Sequence, residues 1–260
     1  MNKLKLILAS RKPTILIGIF LEKYLLKRNE LKQAFEKHFQ DKKGIEIGGP
    51  SNMFKPTGQL PIYPLAAQVD GCNFSDDTAW EGKIKEGNTY NYGGASKGYQ
   101  FICDGVDVPT IPKNSYDFVL SCNNLEHIAN PLKAVENWLK LLKPNGAMVL
   151  VLPRRESNFD HKRPITTIEH LIQDYETNIG EDDLTHVEEV FKLHDLRLDP
   201  LAGNFENFQK RCLDNFNNRC LHHHVFDLAL LKQICNFFKL EIMLTKQKVD
   251  NYIIIAKLTA

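Results

Sequence analysis

Three carboxylates and a double glycine are the residues of this 260-residue chain best suited to hold a small molecule. Glu46, Asp70 and Asp104 each close a short run expected to form a strand, and Gly48-Gly49-Pro50-Ser51 follows the first run directly. Glycine lets backbone approach a ligand with no Cβ in the way. Pro50 has no N–H, so the turn offers one donor fewer to a pyrophosphate, and G-x-G-x-x-G is absent. Glu46 suits an ammonium group better than a phosphate. Asp70, 24 positions beyond Glu46, lies where a carboxylate can accept two hydrogen bonds from a vicinal diol. Asp104, with Gly105 beside it, can accept from the exocyclic amine of adenine. Each aspartate alone would be an ordinary turn former. Together, beside two glycines, they favour a zwitterionic adenosine-type ligand over NAD or ATP.

Histidine supplies the candidate proton acceptors, because its ordinary pKa lies near 6.5. His127 follows Glu126 at an expected helix start, where a capped turn is the plainer explanation. A polar stretch offers His161 beside Asp160, then Arg163, His170, Asp174 and Asp182, then His186 with Glu188 and Glu189. His186 and Glu189, three apart, share a face if that stretch is helical. In an extended His222-His223-His224 the first and third rings point the same way. Cys212, Cys220, His222 and His224 match no structural zinc spacing, so no metal is assigned.

The elements that must position these residues alternate. Strands are expected at Ile45–Gly48, ending at Val69-Asp70, at Tyr99–Cys103, at Tyr116–Ser121 and at Ala147–Leu152, with a helix at Pro131–Leu142. The pattern implies a parallel sheet with right-handed crossovers. Residues 71–97, rich in Asn, Asp, Gly and Ser, read mostly as loop. Residues 154–225 break the rhythm, with helices expected at 167–176 and 182–194. An insertion there would lie at the carboxyl edge of the sheet, where ligands of open α/β sheets bind. Asp227 caps a helix to Phe238, and Leu240–Leu244 with Tyr252–Leu258 read as a closing hairpin.

Glu46-Ile-Gly-Gly-Pro-Ser51, Val69-Asp70, Cys103-Asp104-Gly105, Tyr116-Asp-Phe-Val-Leu-Ser121 and Leu125-Glu126-His127 together resemble the motif series of class I S-adenosylmethionine-dependent methyltransferases. The resemblance is nearest to the methyltransferase type 11 group, and it covers about residues 44–153 well. The family's commoner turn is Glu/Asp-x-Gly-x-Gly-x-Gly, and Gly-Gly-Pro-Ser stands here instead. The resemblance implies an α/β Rossmann-like sheet of seven strands with an antiparallel last hairpin, and S-adenosyl-L-methionine as cofactor. It implies cofactor contacts from Glu46, Gly48, Gly49, Ser51, Asp70, Asp104, Gly105, Ser121 and Asn123, the last two bordering the methionine end. His127, His161 and His186 are the candidate catalytic bases.

Four segments result: a basic amphipathic helical arm at 1–43, a cofactor-binding core at 44–153, a substrate-side insertion at 154–225, and a closing helix and hairpin at 226–260. The whole chain carries 33 basic and 32 acidic residues, which recommends no nucleic-acid partner. The arm holds 11 Lys/Arg against 4 Asp/Glu and leaves the remainder acidic, so contact with an anionic membrane surface is an expectation for 1–43. Six scattered cysteines without C-x-x-C fit a reducing cytoplasm. The longest apolar run, Ile15 to Leu21, is far short of the roughly 18 residues a spanning helix needs. Arg11-Lys12-Pro13 interrupts the faint signal-like pattern before it. The expected activity is O-methylation of a polar small molecule or glycan precursor, with a cytoplasmic location. The rival readings are a non-catalytic cofactor-binding regulator and an NAD-dependent oxidoreductase.

Overall fold

A run such as Ile45-Glu46-Ile47, apolar on one side and acidic on the other, must satisfy its backbone inside a sheet and cover both faces. It becomes β1 (Lys43–Ile47) of a computed structural model that describes residues 36–94 and 97–259. The strands that follow are β2 (Gln68–Asn73), β3 (Asp77–Thr78), β4 (Gly82–Lys83), β5 (Gly87–Tyr90) and β6 (Gly98–Ile102). Then come β7 (Tyr116–Cys122), β8 (Leu142–Pro153), β9 (Glu241–Gln247) and β10 (Asn251–Lys257). Eight of them form one sheet in the order β5-β6-β2-β1-β7-β8-β10-β9, and β3 pairs β4 as a separate ribbon. The five from β6 to β8 run parallel, whereas β5, β10 and β9 each pair antiparallel with their neighbour. The chain steps outward from β1 to β2 and β6, then returns to β7 on the other side. That reversal puts the topological switch point, and a crevice, at the carboxyl ends of β1 and β7.

The eighth strand of the sheet is β5, which lies in the stretch expected as loop. Its end residue Tyr90 and the following Tyr92 are buried. Gly71 makes room for Tyr90, since a Cβ there would stand 2.1 Å from the ring. Likewise β2 does not stop at Asp70 but continues through Gly71 and Cys72 to Asn73. The Lys143–Gly146 turn keeps its character inside β8: Asn145 has φ 63°, and the pairing jumps from Tyr116↔Leu142 to Phe118↔Ala147.

Two apolar layers cover the sheet. One contains Ile45, Ile47, Trp138, Leu150 and Ile254, and the other Phe39, Phe54, Tyr63, Phe118 and Val149. Helix α1 (Pro131–Leu141) packs on the first through Leu132, Val135, Trp138 and Leu139, spaced three and four apart. It begins with proline at its first turn and Asn130 as cap, accepting from Lys133 N at 3.1 Å.

The insertion carries α2 (Ile168–Glu176), α3 (Val187–Leu193), α4 (Phe205–Leu213) and the single turn α5 (Asn215–Asn218). An extended stretch then leads into α6 (Leu228–Phe237), which Asp227 caps. The arm expected at 1–43 lies outside the described residues except for 36–43, where a helical turn enters β1. Among the described residues no helix is long and apolar enough to cross a membrane.

Candidate functional site

At the carboxyl ends of β1, β2, β6 and β7 lies a cleft of about 410 Å³, counting the space open to solvent. Ile47, Cys72, Val106 and Ile128 give it apolar walls, and Gly48, Asn73, Asp104, Asn124, His127, Glu181 and Arg219 supply polar groups. Gly48 has φ +85°, a conformation glycine takes without strain, and a Cβ there would press to 2.7 Å from Asn124. Gly105 is held from beneath by α1, whose Trp138 Nε1 donates to its carbonyl at 2.6 Å. Asn137 Nδ2 donates to the neighbouring Val106 carbonyl at 2.9 Å. The apolar face of α1 thus fixes the backbone of this wall.

Asp104 Oδ1 accepts from Val106 N at 2.7 Å, and Oδ2 from Arg219 at 3.0 Å. Each carboxylate oxygen has a second lone pair, and about a third of the side chain is exposed, so Asp104 retains capacity for a ligand amine. Arg219 also pairs Glu181 at 2.8 Å and lies over the Phe74 ring at 5.3 Å. Arg219 is the one basic side chain lining the cleft among the described residues, and two carboxylates already hold it. Nothing cationic is left over for a phosphate.

Four of the sequence-expected residues form this wall: Gly48, Asp104, Gly105 and His127. Glu46 does not. It is fully buried below the turn, where it accepts from Ser51 N at 3.1 Å, Ser51 Oγ at 2.6 Å, Tyr90 at 2.7 Å and the Tyr63 hydroxyl. Its role there is to pin the loop, with Gly49 packed so tightly on it that a Cβ would stand 2.2 Å from the carboxyl carbon. Burial raises the Glu46 carboxyl above its ordinary value against these four donors.

Asp70 sits three residues short of the end of β2 and is likewise consumed by protein partners: Lys43 at 2.9 Å, Tyr116 at 2.9 Å, Gln68 at 2.6 Å and Tyr99 N at 2.9 Å. The strand end it was expected to mark belongs to Asn73, whose Nδ2 donates to Gly49 O and whose Oδ1 accepts from Trp80. Ser121 is buried inside β7, and Asn123 turns its side chain away to solvent while Asn124 lines the cleft. Of the catalytic candidates, His161 pairs with Asp195 at 3.0 Å and His186 with His170 at 3.1 Å, and neither lines the cleft.

His127 is half-buried, with its Nδ1 covered and unpartnered, and burial first, then the neighbouring His222, lowers its pKa well below the ordinary imidazole value. It is therefore neutral at physiological pH. His222 lies edge-on to it with ring centres 4.4 Å apart, and Asp160 holds His222 Nδ1 at 2.5 Å. Behind Asp160 stands Arg163, whose guanidinium bonds Asp160, Glu189 and the carbonyls of His222 and His223.

Sequence reasoning missed Asn73, Asn124, Glu181 and Arg219. A signal existed for Asn73, since the polar turn Asn73-Phe-Ser-Asp-Asp77 marks where the strand stops. Glu181 and Arg219 come from the insertion and meet the cleft only through the fold.

Burial pushes the Glu181 carboxyl up to about 7, against the pull of Arg219. An exposed glutamate titrates near 4.5, so between those values the folded chain holds a proton that the unfolded chain has released. Stability must fall as pH rises through that window, by roughly 3 kcal/mol at most. Denaturation midpoints of Glu181→Gln and the parent chain are expected to diverge between pH 5 and 7, the parent losing more. Parallel curves would show an ordinary carboxyl.

A family model described as "Methyltransferase domain" matches residues 22–210. Among solved structures, a SAM dependent methyltransferase from Aquifex aeolicus is similar at 10% identity and TM-score 0.46, covering 88% of this chain and 89% of that one. The N-methyltransferase NodS from Bradyrhizobium japonicum WM9 is similar at 11% identity and TM-score 0.42, with 91% and 97% covered. An O-methyltransferase family protein from Burkholderia thailandensis is similar at 10% identity and TM-score 0.47, with 90% and 57% covered. No curated protein sequence matches the chain.

Proposed function

This chain belongs to the methyltransferase domain family, and from that premise we propose that it moves a methyl group from S-adenosyl-L-methionine to an oxygen of a polar small molecule or glycan precursor. The observation that carries the cofactor reading is the donor set of the cleft: two carboxylates and two amides, a glycine-lined floor, and one arginine already engaged. Such a set fits a cationic nucleoside with an amine and a diol, and it offers no counter-charge to a pyrophosphate. Bound S-adenosylmethionine supplies a methyl carbon already activated as an electrophile by its sulfonium. Gly48 and Gly105 would let it lie against backbone, Asp104 would accept from its base, and Asn73 would stand where the ribose is expected.

The chain's own contribution is then alignment and removal of a proton. Alignment of nucleophile and methyl group is worth roughly 7–11 kcal/mol in favourable cases. His127, neutral and on the cleft wall, is our candidate to take the acceptor's proton. Glu181, Arg219 and Asp104 make the insertion side of the cleft polar, which suits a hydroxylated acceptor better than an apolar one. A cytoplasmic location accords with the six cysteines all being free.

Calorimetry with S-adenosylhomocysteine tests the cofactor reading. Binding is expected for the parent chain and for Asp70→Asn. Asp104→Asn is expected to bind about 10-fold more weakly, the worth of one charge-assisted hydrogen bond. Absence of heat with the parent, or equal loss in both variants, would defeat the assignment.

A further inference from the structure

The insertion holds a second group of side chains that the cleft does not use. His170 and Asp174, four apart on one face of α2, meet His186 at the start of α3 and His224 from the extended stretch before α6. One nitrogen or oxygen from each lies within 4.8 Å of all the others. His170 Nε2 stands 3.1 Å from His186 Nε2 and 3.4 Å from Asp174 Oδ2.

These separations have a simple meaning. Four ligands about 2.1 Å from a tetrahedral ion are about 3.4 Å from one another. The ion is then about 3.2 Å from each imidazole centre, so ring centres lie about 5.3 Å apart. The three rings have centres 5.0, 5.1 and 5.7 Å apart. Hydrogen bonding accounts for one contact of the cluster, His170 Nε2 with His186 Nε2, and not for the rest. Asp174 Oδ2 and His224 Nδ1 are buried with no hydrogen-bond partner, a condition that ordinarily destabilises a fold. His224 Nε2 is 3.0 Å from the Ala129 carbonyl, which leaves the unpartnered Nδ1 as the ring nitrogen free to ligate. A backbone carbonyl is a usual partner for the second ring nitrogen of a ligating histidine.

We propose that His170, Asp174, His186 and His224 bind one divalent transition cation of the zinc type, tying α2, the start of α3 and the segment before α6 together. Three imidazoles and one carboxylate suit zinc and its first-row neighbours, and not magnesium or calcium, which take oxygen ligands. The site is separate from the cleft, so it stands whether or not the cleft takes S-adenosylmethionine. In sequence the only trace of it is the His170–Asp174 spacing, because the other two ligands come from 16 and 54 residues beyond His170.

The full chain, stripped with EDTA and titrated with Co²⁺, is expected to take up one equivalent and to develop the intense visible band of tetrahedral cobalt, which Zn²⁺ then removes. Zn²⁺ is also expected to raise the melting temperature by mass action. His170→Ala, Asp174→Asn and His186→Ala should each weaken Zn²⁺ binding at least about 10-fold. The His170 ring is more than a third exposed, and the metal-free His170→Ala chain is expected to keep the parent's circular dichroism and melting temperature. If it unfolds, His186→Asn answers the same question. The proposal is overturned if the parent gives no band, if the band survives His170→Ala and His186→Ala unchanged, or if only His222→Ala removes it. That last result would put the ion among Glu126, His127 and His222, the other ligand-type group in the described residues.

Discussion

Arg163→Met is expected to lower stability by about 3–5 kcal/mol, seen as a fall in the urea midpoint at unchanged slope. Domains of this kind are stable by only about 5–15 kcal/mol, so the variant is expected to be partly unfolded at growth temperature. The Arg163 side chain is 1% exposed and spends its guanidinium on Glu189 at 2.8 Å, Asp160 at 3.0 Å, His222 O at 2.8 Å and His223 O at 3.0 Å. Methionine fills much of the volume but leaves Asp160 Oδ1 and two carbonyls buried without the donor they share. Burial alone would push the Asp160 carboxyl up, but His222 and Arg163 beside it hold it down at about 2. That depressed value is a stabilisation present above the ordinary carboxyl range and lost as pH falls toward 2. Removing Arg163 takes away part of it. Lysine is not expected to rescue, because a single ammonium cannot reach donors spread across a planar fork. Asp160→Leu combined with Arg163→Met is expected to cost less than Arg163→Met alone, since only the partly exposed Glu189 is then left without its partner. If the single and double variants unfold at the parent's midpoint, the buried arginine is not the hub of the insertion.

This hub was invisible in sequence, and the reason is physical. An arginine in the polar run Asp160-His-Lys-Arg-Pro164 looks solvated, and what buries it comes from Glu189 and from the histidines 59 and 60 residues away. What was legible rests on local physics. The runs that became β1, β7 and β10 are apolar enough to need burial on both faces. The helix starts at Asn130, Thr167 and Asp227 carry capping side chains, each of which accepts from a backbone N–H three residues on.

Strand ends were the weak point. Asp70 looked terminal because Gly71-Cys72-Asn73 carries no strand-like pattern. Gly71 stays in the strand because the Tyr90 ring lies where its side chain would be, a fact belonging to β5. Glu46 looked like a ligand contact because acidic residues beside glycine turns often are. Its direction in the strand, facing Tyr63 and Tyr90, follows the period-2 alternation that puts Ile45 and Ile47 on the opposite face. Counting that alternation would have moved Glu46 from the ligand to the core.

His127→Ala is expected to reduce kcat by about 10²–10⁴-fold, or roughly 3–5 kcal/mol of barrier, while leaving the affinity for S-adenosylhomocysteine near that of the parent. The expectation comes from where the ring stands. Of the three histidines that sequence nominated, only His127 borders the cleft that also contains Gly48 and Asp104. His161→Ala is accordingly expected to retain turnover. The buried Nδ1 of this ring has no hydrogen-bond partner, so the groups behind it position the ring and do not relay its proton. Single atoms of Glu126, His127 and His222 fall within 4.8 Å of one another, and Asp160 holds the far side of His222. His222→Ala is therefore expected to lower kcat less than His127→Ala does. Its cost comes through orientation of the neighbouring ring, and adding it to His127→Ala should change little, because two residues acting as one unit are not additive. Full turnover by His127→Ala, with the acceptor present at saturation, would leave alignment alone to account for the rate and would move the proton's route to solvent.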